Sequence, residues 1–513
     1  MLHTPLAIVF LLVGDFVQVD AALVPSAETP RETRGVLLKT DAVSPGFTLV
    51  APLQSKSTYL VDLDGTVVRE WKSDSLPGQA AYLRENGHLL RAERVQNGFQ
   101  GGGGAGGRVR ELDLDGNVVW EYVCSDATRL SHHDFEFLPN GHLLLIAWER
   151  KRAEEAFEAG RHPRSLQIGE FWPDMLLEIE LTPPSGGNVV WEWHAWDHVI
   201  QERATARPNY GKIAEHPERI DVNADRPARS EEEEARELDS LRRLGYVEAT
   251  PRASADDART QRVGSSNRGD WLHANAVAFE PELDLIALSV HSISEVWIID
   301  HSTTSAEAST SKGGRRGQGG DLLARFGNPQ VHGAGTTKEQ VLFGQHDVQW
   351  ITGGESGPRR LLVFNNGLGK LGSGSSVDEF AIDLSLESVN RGLPRVTQVW
   401  TYADARIDSG HLSGVQRLPN GNTLICAGET GRIVEVTPRG EIAWDFLSPF
   451  GDDVAADPTG ERAGAAPRPG LDDGSARLAD AARDARYSLF RASRYADDHP
   501  GVVAALLRRS AQR

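Results

Sequence analysis

The chain has 513 residues of ordinary globular composition, with 54 basic against 73 acidic residues and a net charge of −19. So acidic a chain repels polyanions, which argues against nucleic acid as a partner, and a small anionic substrate would need a locally positive site. Two cysteines, Cys124 and Cys426, are too few for a disulfide framework or a cysteine metal site, and both read as buried strand residues.

Residues 1–22 read as a signal peptide. An apolar run from Leu6 to Val13 precedes the small residues Ala21 and Ala22, although no Lys or Arg precedes the run. This predicts a periplasmic or secreted protein. The run is too short to cross a bilayer in mature form and no other stretch approaches that length, so no stable membrane insertion is expected.

From residue 36 a unit repeats. Its first half is an alternating strand, a turn and an apolar strand, as in Gln79-Ala-Ala-Tyr-Leu-Arg-Glu-Asn-Gly-His-Leu-Leu, His133-Asp-Phe-Glu-Phe-Leu-Pro-Asn-Gly-His-Leu-Leu and Ser413-Gly-Val-Gln-Arg-Leu-Pro-Asn-Gly-Asn-Thr-Leu. Its second half is a hairpin ending in an aromatic, as in Leu60 to Trp71, Leu112 to Tyr122 and Ile433 to Trp444. Asn-Gly and Asp-Gly between apolar runs mark hairpin turns. Two hairpins make four strands, which is one propeller blade. Units begin near Gln79, His133, His273, His346 and Ser413, and a partial one lies in 36–71. The two chain ends together close the ring. The expectation is an all-β, six-bladed propeller of four-stranded blades over 36–450; a repeated four-strand unit argues against a sandwich.

Several segments fall outside the repeat. Gly101–Gly107 reads as a flexible glycine run. Residues 202–266 read as a polar insertion with a helix over Glu232–Leu244. Residues 303–320 read as a mobile loop. Residues 451–513 read as a C-terminal extension packed on the outside, with a helix near Gly501–Arg509.

Aligned on their turns, Gln79, His133, His346 and Ser413 share one position, and His273 precedes its strand in the same manner. His411 lies two residues before Ser413. The first strand of a propeller blade lines the central channel, so its entry residue faces its counterparts at the mouth. His133, His273 and His346 are therefore expected to meet. His88 and His142 follow turns and read as solvent-facing. His194 and His198, within Trp191-Glu-Trp-His-Ala-Trp-Asp-His198, read as packing. Asp134 and Asp347 follow candidate histidines but point to the opposite strand face, which suits support of neighbouring backbone.

A cluster of imidazoles fits three kinds of chemistry. It can act as base, acid or nucleophile near neutral pH. It can bind a metal. It can hold an oxyanion with protonated rings and an amide such as Asn275.

Two stretches carry a family resemblance. Asp270-Trp-Leu-His-Ala-Asn275 with Ser289-Val-His-Ser-Ile-Ser-Glu-Val-Trp-Ile-Ile-Asp300, and Gln345-His346 with Phe364-Asn-Asn-Gly367, resemble the PAPS-independent bacterial arylsulfotransferases over roughly residues 36–450. The resemblance implies a six-bladed propeller that moves a sulfuryl group from an aryl sulfate to a phenol through a sulfated histidine, without a cofactor. By motif position it makes His346 the nucleophile, His273 and Asn275 sulfate-binding residues, and His133 or its neighbour His132 the remaining histidine. One position departs from the family: Val290 stands where the family has an arginine, leaving His291 and Lys370 as candidates to compensate. The family's closely spaced cysteine pair is also absent. His411 and Ser413 complete the expected substrate-binding set. Two other readings stand beside this one: a non-catalytic propeller that binds a ligand or protein, and a metal-dependent propeller hydrolase or lyase. The sequence does not fix the oligomeric state.

Overall fold

The hairpin signals fall where strands turn. Gly65, Gly87, Gly116, Gly141, Gly421 and Gly440 all adopt left-handed φ between 79° and 88°, which a side chain would strain. The computed structural model describes residues 33–96, 98–99, 103–162, 169–225, 269–351, 358–370, 374–385, 394–451 and 485–512. The expected signal peptide and the helix expected over Glu232–Leu244 lie outside the described residues.

Six antiparallel sheets form the propeller, five of four strands and one of five. Blade 2 runs from Pro77–Leu83 to Val118–Val123, and blade 3 from Arg129–Phe137 to Gly187–His194. Blade 4 runs from Ala274–Glu280 to Ala324–Phe326, and blade 5 from His346–Trp350 to Val396–Tyr402. The first strand of each blade touches the first strands of its neighbours around the ring. Outer-strand tryptophans clasp adjoining blades. Trp71, Trp120, Trp193 and Trp444 donate Nε1–H to the carbonyls of Asp113, Gly186, Gly320 and Leu63, at 3.1, 3.0, 2.7 and 3.0 Å. Cys124 and Cys426 are buried and unbridged, and burial pushes both thiols up.

Both chain ends close the ring, by a route that the boundary at residue 450 misses. Gly35–Lys39 adds a fifth, outer strand to blade 6, beside Ile442–Leu447. Blade 1, which holds Phe47–Pro52, Ser57–Val61 and Val67–Lys72, then lacks an inner strand. Leu489–Tyr495, from the extension expected outside the ring, fills that place against Phe47–Pro52. Its apolar alternation is masked in the sequence because it carries two buried arginines, Arg491 reaching Asp134 and Asp347 of other inner strands and Arg494 reaching Glu435 of blade 6. The terminal helix forms over Pro500–Gln512.

The loop 303–320 is pinned rather than mobile. Thr304 and Glu307 form a capping box on the short helix Ser305–Ala308. The Ala308 carbonyl lies 2.8 Å from His198 Nε2, and Arg316 reaches Asp300 at 3.0 Å. His198 is fully buried, stacks on Trp193 and bonds Asp321, which is the packing role expected of it.

Candidate active site

Inner strands enter their blades through β-bulges. The pairing slips between Leu145 and Ala147 opposite Arg129–Phe137, between Ala274 and Ala276, and between His346 and Val348. A bulge re-aims side chains out of the pleat alternation. Left-handed backbone accompanies it, with φ of 53° at His133 and His273 and 54° at Asp347. Non-glycine residues held there cost on the order of 1–3 kcal/mol each, and such strain gathers at functional sites. The left-handed residue is the histidine in blades 3 and 4 but the following aspartate in blade 5, so the recurring position holds only to within one residue.

The bulged strands, with the turn after Leu285–Val290 that carries His291, gather five imidazoles from three blades into one row. Ring centroids are 5.1 Å apart for His132 and His133, 4.5 Å for His133 and His273, 5.2 Å for His273 and His291, and 5.0 Å for His291 and His346. The expected meeting of His133, His273 and His346 is thus present. His291 links His273 to His346 within the row, and His132 ends it beyond His133.

Fixed partners assign protons along the row. His346 Nδ1 lies 2.9 Å from Asn366 Oδ1. The Asn366 amide donates to the carbonyls of Ser409 and Leu412 at 2.8 and 3.2 Å, so its oxygen can only accept. His346 therefore carries its proton on Nδ1 and keeps a lone pair on Nε2. At the other end His132 Nε2 lies 3.2 Å from Asp174 Oδ1, and its Nδ1 is 2.8 Å from His133 Nδ1. His132 stacks flat on Trp148 at 4.0 Å. In the middle, His273 Nδ1 meets Asp270 Oδ2 at 2.5 Å.

Charge follows from these partners. Burial, then the neighbouring rings, hold His133 and His346 well below the ordinary histidine range. The same causes bring His291 down to about 3. Burial opposes protonation of His273 too, but the charge and hydrogen bond of Asp270, with Asp174 behind it, outweigh that and raise it. His273 is thus raised where His133, His291 and His346 are lowered.

Several predicted residues fall elsewhere. Ser413 is buried, and its hydroxyl accepts from Gly428 N–H at 2.9 Å, so it serves the backbone rather than a substrate. Asn275 is buried and donates to the Gln345 carbonyl at 2.8 Å, which positions the residue before His346. His411 sits half-exposed at the rim, paired with Glu429, near enough to disfavour protons on His291 and His346. Lys370 is exposed, with its ammonium 5.6 Å from the Phe343 ring. Val290 is buried in the core between blades.

Other residues now matter that sequence reasoning left unassigned. Asp270 and Asn366 lie in the motifs themselves, but no repeat position marks them. Residues 103–107, the described part of the glycine run expected to be flexible, roof the row. His133 N–H donates to the Gly104 carbonyl at 2.9 Å, and Ala105 bridges to His132. A Cβ on Gly104 would lie 2.2 Å from the His133 ring, and one on Gly103 3.3 Å from that of His273. Below the row, Asp134 and Asp347 accept from Val277 and Val415 N–H at 3.1 and 2.8 Å, the backbone support expected of them. Arg491, unforeseen, sits between these carboxylates at 2.8 and 3.4 Å.

The sequence model of the arylsulfotransferase (ASST) family matches residues 36–443. The chain belongs to that family. The match takes in strands of all six propeller sheets and every histidine of the row, while blade 1's inner strand, Leu489–Tyr495, lies beyond it. No curated protein matches the chain in sequence. Among solved structures it is similar to a Bacteroides caccae protein of unknown function (11% identity, TM-score 0.39), covering 79% of this chain and 94% of that one. It is also similar to the Pseudomonas aeruginosa periplasmic gluconolactonase (13% identity, TM-score 0.34), covering 79% of this chain and 96% of that one. At this level neither likeness bears on function. Among the described residues, no three His, Cys, Asp or Glu side chains form a metal-holding group.

Proposed function

We propose that this arylsulfotransferase-family protein moves a sulfuryl group from an aryl sulfate to a phenol, by way of a sulfohistidine at His346. The observation that carries the reading is the Asn366 clamp. It leaves His346 Nε2 with a free lone pair, while burial keeps the ring neutral and nucleophilic. In the first half-reaction that lone pair attacks sulfur, the N–S bond forms and the S–O(aryl) bond breaks. In the second, a phenol oxygen takes the sulfuryl group and the electron pair returns to His346. The sulfuryl oxygens carry negative charge throughout, so the neighbouring rings supply the polar lining. The reading includes export, on the form of residues 1–22, and cell fractionation tests that part.

The test is incubation with 4-nitrophenyl sulfate, with and without phenol. The wild type releases 4-nitrophenol, and the peptide containing His346 carries a sulfuryl adduct by mass spectrometry. Release at the wild-type rate from His346→Ala, or an adduct on another residue, overturns the assignment.

A further inference from the structure

Asp270 and His273 form the one carboxylate–imidazole pair in the middle of the row. Their separation is 2.5 Å, and the aspartate is held in place by the bridge of its backbone to Trp172. The groups that face His273 come from every neighbouring element. Asp270 precedes it on its own segment, and Asp174 opens the third strand of blade 3. His132 and His133 lie on the inner strand of blade 3, His291 on the turn after Leu285–Val290, and His346 on blade 5. Two carboxylates thus face one ring, while burial and the surrounding rings hold His133, His291 and His346 below the ordinary histidine range.

Resting on the reading of His346 as the nucleophile, we propose that Asp270 is a positioning residue that keeps His273 an imidazolium, and that His273 is the proton donor to the departing phenolate. The geometry supplies both halves of this role. Asp270 occupies Nδ1, so the exchangeable proton is on Nε2, the edge under the Gly103 roof. The candidates expected to supply positive charge in place of an arginine at Val290 do not do so. His291 is neutral, and Lys370 points its charge over Phe343.

The step balances. As the S–O(aryl) bond breaks, its electron pair passes to the phenolate oxygen, which takes the Nε2 proton of His273. The products are phenol, sulfated His346, neutral His273 and an unchanged Asp270 carboxylate. In the return half-reaction the acceptor phenol gives its proton back to His273 as its oxygen attacks sulfur. Positioned proton transfer of this kind contributes typically about 100- to 10⁴-fold, and the need for it grows as the leaving phenol becomes less acidic.

The test compares wild type, Asp270→Asn and Asp270→Glu in two measurements. The first is an imidazole NMR titration, with the His273 signal assigned by its loss in His273→Gln. Wild-type His273 is expected to stay protonated beyond the ordinary histidine range, to lose its proton at lower pH in Asp270→Asn, and to keep it in Asp270→Glu. The wild-type titration decides alone if Asp270→Asn does not fold. A wild-type ring already neutral at ordinary histidine pH, or one unmoved by Asp270→Asn, overturns the proposal. The second is the rate ratio for phenyl sulfate and 4-nitrophenyl sulfate. Asp270→Asn should lose about 100-fold more with phenyl sulfate than with the better leaving group, and its alkaline limb should move to lower pH. Equal losses on both donors overturn the proton-donor role. If the wild type turns over neither donor, the sulfuryl-transfer reading falls, and the titration still decides the charge on His273.

Discussion

Histidines gather at both ends of these blades, and the two groups are built on opposite rules. At the mouth, His132, His133, His273, His291 and His346 face one another, and the carboxylates Asp174 and Asp270 touch only two of them. At the turn end each ring faces acid. His88 Nδ1 meets Glu111 at 2.7 Å, His142 Nδ1 meets Glu178 at 2.7 Å, and His301 bridges Asp284 and Glu178 at 2.7 and 3.0 Å. A carboxylate partner fixes a ring's proton and spends its nitrogen on a bond. Crowded, buried imidazoles disfavour one another's protons and keep lone pairs. The first arrangement staples strands; the second stores nucleophiles.

The contrast breaks most sharply at His346. His346→Ala removes the ring whose free nitrogen is set by the Asn366 clamp, and transfer should fall to background. His346→Gln should do the same. A urea midpoint near the wild type's would separate that loss from unfolding. The pH profile sharpens the point. His346 must be neutral to attack, and its proton affinity is held well below the ordinary histidine range, so the acid limb should lie well below pH 6.5. His273 is raised, so activity should hold through neutral pH and fall on the alkaline side.

Asn366→Ala comes next. Without the clamp the His346 proton is free to move to Nε2, which removes the attacking lone pair. A wrong tautomer costs about 10⁴-fold in a serine-protease triad; here the ring's neutrality survives, so kcat should drop by roughly 1000-fold with KM little changed. Asn366→Asp, which still accepts from Nδ1, should recover part of the rate. Loss in KM alone would mean Asn366 holds substrate rather than His346. A smaller effect is expected of Gly104→Ala. Its Cβ would lie 2.2 Å from the His133 ring, on a backbone with φ of 80°. The roof or the ring must move, and misplacement by about 1 Å costs roughly 100-fold. Unchanged kinetics would show that the roof is incidental.

The two ends of the blades were unequally legible from sequence. Hairpin turns announce themselves because Asn-Gly and Asp-Gly meet a backbone need, and repetition then implies blades and a common axis. That logic placed His133, His273 and His346 together. It stopped at the bulges, since an extra residue in a strand leaves no compositional mark and shifts the register by one between blades. This is why Ser413, in register by its turn, ends up bonded to Gly428 while His291, from a different turn, joins the row. Asp270 and Asn366 stand inside recognisable motifs, yet their roles depend on which atom faces which ring. Arg491 was hidden in an arginine-rich tail whose strand pairing runs to Phe47–Pro52, across almost the whole chain. The glycine run showed its freedom but not its purpose, which is to let backbone lie on an imidazole.

The weakest expected effect tests the other half of the contrast. His301 is tied to Glu178 of blade 3 and Asp284 of its own blade, so it staples two blades and touches no ring of the mouth. Its removal should leave transfer unchanged and cost stability, on the order of 2 kcal/mol for charged hydrogen bonds. The sign of the pH dependence follows from both partners. Burial opposes the Glu178 carboxylate, but His301, Asn140 and His142 outweigh it and bring it to about 2 from 4.5, so its share is present above 4.5 and lost as pH falls. Burial also opposes protonated His301, but Glu178 and Asp284 raise it above 6.5, so its share is present below 6.5 and lost as pH climbs past the raised value. The staple is therefore strongest between those two values. The gap in urea midpoint between wild type and His301→Gln should be widest near about pH 5.5 and narrow as pH climbs past the raised His301 value. A gap independent of pH would mean that His301 contributes packing against Trp191 and Phe279 alone, and that its charge is not part of the staple.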